Sequence, residues 1–271
     1  HLDRLTRVYE YMGPAWYQRE IEIPAAWKGK RIFLYFERTH WLSSVYVGKE
    51  EVSKIDYISI PHNHELTQWL HPGKKELITF CIDNRYQYDT HKWDHAHSEF
   101  TQINWNGVLG EIKLVAVDPV YVDDMQVYPD IKNKSIKVKM TVRNCTEHTA
   151  SGKISFHVTG KDYRLQKEVP VTVTDSITYI EEEMFLGKDI HLWNEFHPNL
   201  YTLDCKLTSS VEGQSYAHEK STTFGMREVE AGEDHIILNG EPIHLRGTVE
   251  NAVFPKTGYA PVDDASWERV L

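Results

Sequence analysis

The chain has 271 residues, 41% hydrophobic and 26% charged, which fits two to three globular domains and contains no apolar run long enough for a membrane span. A net charge of −10 argues against nucleic acid or an anionic membrane as partner. Three cysteines, Cys81, Cys145 and Cys205, are too few and too odd in number for a disulfide framework, so buried free thiols are expected, with a Cys145–Cys205 bridge left open.

From residue 17 to 117 the signals are β throughout. Ile21-Glu22-Ile23-Pro24 ends one strand, because Pro24 has no N–H for a ladder. Residues 31–37 alternate as a half-buried strand should, residues 44–49 form a strand closing in a turn, and His71-Pro72-Gly73-Lys74 turns the chain into a strand over 76–82. Short strands with turns at this spacing argue a sandwich or jelly roll. Residues 86–105, YQYDTHKWDHAHSEFTQINW, lack periodicity over about twenty positions, a length that marks a functional or mobile segment. His91, His95 and His97 with Asp94 lie within it. Zinc sites use better-separated ligand pairs, so no metal and no cofactor is assigned. Aromatics make up 12% of the chain, which suits sugar stacking and sandwich cores alike.

Asp118-Pro119 breaks the preceding strand and marks a boundary. Strands then follow at 120–127, 135–144, 153–159, 167–173, 178–185, 200–209 and 217–223. About seven strands in about a hundred residues is the arithmetic of an immunoglobulin-like sandwich. Asn133-Lys-Ser135 and Asn144-Cys-Thr146 match glycosylation sequons, a pattern common by chance.

Beyond residue 224, His235-Ile236-Ile237-Leu238 reads as a strand, Asn239-Gly240 as a tight two-residue turn, and residues 243–247 as a second strand. Gly258 and Pro261 punctuate a loop. Asp263 and Asp264 then offer N-caps for a helix beginning at Ala265.

The wording of several segments is more specific than their pattern. Phe224-Gly225-Met226-Arg227-Glu228, Leu238-Asn239-Gly240-Glu241-Pro242 and Leu245-Arg246-Gly247, in this order, closely resemble a boundary in family 2 glycoside hydrolases, the group of β-galactosidases, β-glucuronidases and β-mannosidases. Gly13-Pro14-Ala15-Trp16-Tyr17-Gln18-Arg19, Ser44-Val45-Tyr46-Val47-Gly48, Pro72-Gly73-Lys74-Lys75-Glu76-Leu77 and Asn104-Trp105-Asn106-Gly107 resemble the family's N-terminal domain.

The resemblance implies an all-β chain: a jelly-roll (galactose-binding-like) sandwich over 1–118, an immunoglobulin-like sandwich over 119–224, and over 225–271 the first β/α unit of a truncated (β/α)8 barrel. It implies the N-terminal, non-catalytic part of a retaining exo-β-glycosidase acting on terminal β-linked sugars. The catalytic glutamate pair, about 5–5.5 Å apart in such enzymes, is expected beyond this chain, and the isolated chain is expected to be inactive. The alternative is a stand-alone carbohydrate-binding module.

By position, Thr101, Gln102 and Asn104 would reach the sugar from the first domain, with Trp93 offering a stacking face and Trp105 packing beneath the loop. Arg246, Glu250 and Asn251 would contact it from the end of the first barrel strand. Many β-galactosidases carry a sugar-contacting histidine after that strand. Val249-Glu250-Asn251-Ala252 has none, which weakens the assignment of galactose. Asn194-Glu195 matches the family's acid/base dipeptide but lies in the sandwich segment Leu192-Trp193…Pro198-Asn199-Leu200-Tyr201, so Glu195 is not assigned to catalysis. The expected partner is a β-glycoside. A homo-oligomer stays open, and the compartment is not fixed, with periplasmic or secreted placement slightly favoured.

Overall fold

The computed structural model describes residues 11–88, 105–247, 249 and 263–269. The chain forms two compact units, His1–Ala116 with Gly247–Leu271, and Val117–Arg246.

The first unit holds seven described strands in two sheets. β1 (Pro14–Glu22), β6 (Lys75–Asp83), β3 (Leu42–Val47) and β4 (Glu50–Asp56) lie side by side in that order. The second sheet orders β5 (His62–Glu65), β2 (Arg31–His40) and β7 (Gly107–Val117). β2 alternates because Ile32, Leu34 and Phe36 turn inward, at 1%, 3% and 0% exposure. They meet Val45, Ile78 and Ile82 of the other sheet, with Ile23, Leu66 and Leu70 closing the core. β1 pairs with β6 from Pro14↔Asp83 to Glu22↔Lys75 and stops there, so Pro24 lies past the ladder it would interrupt.

The second unit is a two-sheet sandwich. One sheet orders β12 (Ile177–Phe185), β9 (Ser135–Asn144) and β8 (Val120–Asp130). The other orders β11 (Tyr163–Val173), β10 (Ala150–Gly160), β13 (Tyr201–Val211) and β14 (Gln214–Phe224). Alternation sets the faces. Ile136, Val138, Met140 and Val142 of β9 point in, as do Ile154, Phe156 and Val158 of β10 and Leu203, Cys205 and Leu207 of β13. Gly152 of β10 carries no side chain because a Cβ there would sit 2.0 Å from the Thr208 carbonyl oxygen of β13.

A small sheet of β15 (Val229–Ala231), β16 (Ile236–Leu238) and β17 (Glu241–Ile243) follows. Asn239 and Gly240 have φ of 54° and 87°, the two positive values of the tight hairpin turn the Asn-Gly pair predicts. The second strand lies earlier than residues 243–247. A two-residue turn forces pairing to begin at Leu238↔Glu241, and it ends at Ile236↔Ile243, where β16 itself begins. The helix α1 (Asp264–Trp267) has Asp263 as its N-cap, accepting from the Ser266 N–H at 2.8 Å.

The three thiols are free. Cys81 and Cys205 are buried, but Cys145, just past β9, is exposed, contrary to the expectation of three buried thiols. Cys205 faces the core with its sulfur 4.0 Å from that of Met140, and burial pushes its thiol up to about 12. Neither sequon presents a free amide. Asn144 is 3% exposed, donates to the His148 and Val173 carbonyls and accepts from the Thr146 N–H and hydroxyl. Asn133 donates its amide to Asp130 at 2.8 Å.

Candidate functional site

The sites expected to touch sugar divide sharply. Thr101, Gln102, Asn104, Glu250 and Asn251 lie outside the described residues, as do Trp93 and the His91, Asp94, His95, His97 group. Arg246 is described and exposed, three residues past β17. Among the described residues no group of three His, Cys, Asp or Glu side chains could hold a metal ion.

The structure does show the frame from which residues 89–104 depart and to which they return. Both stems end at one edge of the first unit, where β6 finishes at Asp83 and β7 starts at Gly107. Asn84, fully buried, bonds three backbone groups on two separate stretches of chain. Its Oδ1 accepts from the Gly13 N–H at 2.9 Å, and its amide donates to the Tyr11 carbonyl at 2.9 Å and the Trp105 carbonyl at 3.2 Å. Asn106 adds a second tie, donating to the Gly13 carbonyl at 2.8 Å and the Ile82 carbonyl at 3.3 Å. His40 Nδ1 donates to the Trp105 carbonyl at 2.7 Å; a carbonyl only accepts, so the ring hydrogen sits on Nδ1.

Aromatic rings fill the spaces between these ties. The Trp105 ring is half-buried, its centroid 5.0 Å from that of His40, so it packs beneath the returning stem. Trp41, 4% exposed, lies 6.3 Å from Tyr88 between centroids. Tyr88 in turn donates its hydroxyl to Asp56 at 2.6 Å.

Charge at this edge is paired. Asp83 is 6% exposed and receives Arg85 on both carboxylate oxygens, with contacts of 3.0, 3.0 and 2.5 Å, plus the Arg85 backbone N–H at 3.0 Å. Burial alone would raise the Asp83 carboxyl, but the Arg85 hydrogen bonds and charge outweigh it and hold the group below its ordinary value. The polar groups of this edge hold backbone and one another. They frame the two stems of the 89–104 segment. Sequence reasoning missed this frame because its members, at positions 11–13, 40–41, 83–85 and 105–106, share no local motif.

In the second unit the hairpin is tied to the sandwich by Asn239. Its Oδ1 accepts from the Glu228 N–H at 3.0 Å and its amide donates to the Trp193 carbonyl at 2.9 Å. The Arg227 guanidinium lies over the Trp193 ring at 4.6 Å, and Lys132 reaches Glu228 and Glu230. Asn194-Glu195 sits in an exposed turn, where Asn194 Oδ1 accepts the Phe196 and His197 N–H groups.

Comparison with known proteins follows this division. The family described as glycosyl hydrolases family 2 matches residues 120–227, the span of the seven-stranded sandwich and the turn after it. The β-galactosidase of Thermoanaerobacter pseudethanolicus is 24% identical over 257 residues, covering 94% of this chain and 34% of that protein. The β-glucuronidase of Sus scrofa is 22% identical, covering 89% of this chain and 39% of its own length. A solved structure of Bacteroides uniformis β-glucuronidase 2 superposes with a TM-score of 0.76 at 19% identity, covering 96% of this chain and 32% of that one. The chain spans about a third of the length of the curated relatives it matches. With the sandwich, the hairpin and the sequence matches in agreement, residues 120–227 match glycosyl hydrolases family 2, and the chain as a whole is similar to the N-terminal portion of that family's members.

Proposed function

We propose that these 271 residues are the non-catalytic N-terminal part of a retaining exo-β-glycosidase that removes terminal β-linked sugars. In this reading residues 1–118 are a jelly-roll, galactose-binding-like domain, residues 119–224 an immunoglobulin-like sandwich, and residues 225–271 the opening of a (β/α)8 catalytic barrel. One observation carries the reading: the family match ends at residue 227, at the turn from which the Asn239-tethered hairpin leaves the sandwich. A strand that continues from such a hairpin would deliver Arg246 and the residues after it to the C-terminal rim of a barrel, where barrel enzymes place their chemistry. Thr101, Gln102 and Asn104 would meet the same sugar from the segment framed by Asn84 and His40. The nucleophile and acid/base carboxylates would come from residues outside the 271.

Two of the relatives named above are a β-galactosidase and a β-glucuronidase, so both substrate classes belong in the test. The experiment compares the 271-residue chain with the full-length product of its gene on aryl β-galactosides and aryl β-glucuronides. The full-length protein is expected to hydrolyse one of them, releasing the β-anomer first, and the 271 residues alone are expected to hydrolyse neither. Turnover by the 271 residues alone would overturn the division of labour. A full-length protein that binds sugar and cleaves none would replace this reading with a carbohydrate-binding module.

A further inference from the structure

The interior of the first unit contains a chain of polar groups that none of the above uses. His62 and His64 of β5 both turn inward and are 0% exposed, as is Ser43 of β3 between them. His62 Nε2 lies 2.8 Å from the Tyr57 carbonyl, and His62 Nδ1 lies 2.6 Å from Ser43 Oγ. Ser43 Oγ lies 2.8 Å from His64 Nε2, and His64 Nδ1 lies 2.8 Å from Ser53 Oγ on β4.

The direction of every hydrogen bond follows from one end. The Tyr57 carbonyl can only accept, so His62 Nε2 carries a hydrogen. In a neutral ring His62 Nδ1 is then an acceptor, and the Ser43 hydroxyl donates to it. Ser43 has then spent its only hydrogen and accepts from His64 Nε2. His64 Nδ1 is thereby an acceptor as well, and takes the Ser53 hydroxyl. Both rings are neutral with the hydrogen on Nε2, and every ring nitrogen is matched.

An added proton disturbs this arrangement wherever it lands. On His64 it faces Ser53 Oγ with a second donor and turns the Ser53 hydroxyl away. On His62 it reverses Ser43, then His64, and ends at the same Ser53 hydroxyl. In either case a charge stands in the core, and on His64 it stands beside the Phe36 ring, whose centroid is 5.3 Å away.

We infer that the Ser53–His64–Ser43–His62–Tyr57 chain is an acid-sensitive latch, which clamps β3, β4 and β5 together at neutral pH and releases them when a proton enters.

The groups facing the latch are few. β2 presents the apolar Phe36, β3 the Ser43 hydroxyl, and β4 the Ser53 hydroxyl and the Asp56 carboxylate. Asp56 favours a charged His62, as does the Tyr57 carbonyl, but burial outweighs both and lowers that ring. Burial, with some repulsion from His62, holds His64 down to about 3. The unfolded chain therefore takes up protons that the folded chain refuses. The latch is complete above pH 6.5 and its contribution is lost as the pH falls from there towards 3.

An ordinary imidazole, with a pKa of about 6.5, is protonated about thirty-fold over neutral at pH 5. His64 alone should thus lower the folding constant of the first unit about thirty-fold between pH 8 and pH 5, and His62 should add to it. The test is long-range proton–nitrogen NMR of the 271-residue chain, with imidazoles assigned from the backbone, alongside thermal unfolding from pH 8 to 5. Expected are a His64 ring that stays neutral with hydrogen on Nε2 at pH 5, and a His62 ring that carries its hydrogen on Nε2 at neutral pH and takes up its second proton only below the ordinary imidazole range. In His64→Gln the thirty-fold term should vanish. Either ring titrating near pH 6.5, or carrying its hydrogen on Nδ1, would overturn the latch, and so would an unchanged pH dependence in a folded His64→Gln. Should that variant not fold, the ring-nitrogen spectra of the native chain decide.

Discussion

Asn84 is the most exacting point at which to test the frame of the first unit. In Asn84→Ala three hydrogen bonds disappear at once, but their partners fare differently. The Trp105 carbonyl keeps the His40 ring, and the Tyr11 carbonyl, on an exposed residue, can take water instead. The Gly13 N–H is buried and is left without its acceptor. An orphaned buried donor costs about 1–3 kcal/mol, and the two remaining bonds about 0.5–1 kcal/mol each, for a total of about 3 kcal/mol. For a unit of this size that is roughly a 10 °C fall in Tm. Seven of the eight tryptophans lie in the first unit, Trp193 being the exception, so tryptophan fluorescence reports that unit while calorimetry follows both. Asn84→Asp sharpens the test. It keeps the acceptor for Gly13 but sets carboxylate oxygen against the Tyr11 and Trp105 carbonyls. Its folded carboxyl is therefore raised, so its deficit against the native chain should shrink as pH falls and the acid regains a donor. A first-unit transition within about 1 °C of native in Asn84→Ala, or a shift confined to the second unit, would refute the reasoning.

Two further outcomes follow from the second unit and the thiols. In Asn239→Ala a non-glycine residue without a tether must hold φ of 54°, at a cost of about 2 kcal/mol; amide exchange in β15–β17 should rise about thirty-fold with β8–β14 unchanged, and Asn239→Gly should fall between the two because it removes strain but not the lost tether. A disulfide reagent at pH 8 should titrate one thiol rapidly, Cys145, with Cys81 and Cys205 reacting only on unfolding; two fast equivalents would contradict the burial of the other pair.

How far the fold was legible depended on which side chains turn inward. β9 is legible because Ile136, Val138, Met140 and Val142 alternate with Lys137, Lys139 and Thr141, and one buried face is all that periodicity needs. Its bounds agree with those read from the sequence. β5 escaped notice for the opposite reason. Its inward residues are His62 and His64, which hydropathy counts as polar, and only partners 5 to 21 positions away make them interior groups. β4, with Glu50, Glu51 and Lys54 at an edge, has no hydrophobic alternation either.

The same distinction separates the two parts of the candidate site. The hairpin could be read because a positive-φ turn needs particular residues at adjacent positions, and Asn239-Gly240 supplies them. The frame around Asn84 could not, because an asparagine serving two distant backbone stretches looks in sequence like any turn asparagine beside a polar loop. Its role exists only when Tyr11, Gly13 and Trp105 arrive at one edge, and that meeting is set by strand order. The order β1-β6-β3 brings the starts of β1 and β3 against the end of β6 through Pro14↔Asp83 and Leu42↔Asp83, and the residue after Asp83 inherits every neighbour that this junction collects. Side chains that hold long-range junctions are thus the least visible in sequence. In this chain they also set where residues 89–104 leave the frame and return to it, so a test of the proposed sugar contacts in that segment should be accompanied by a test of the buried amides at its stems.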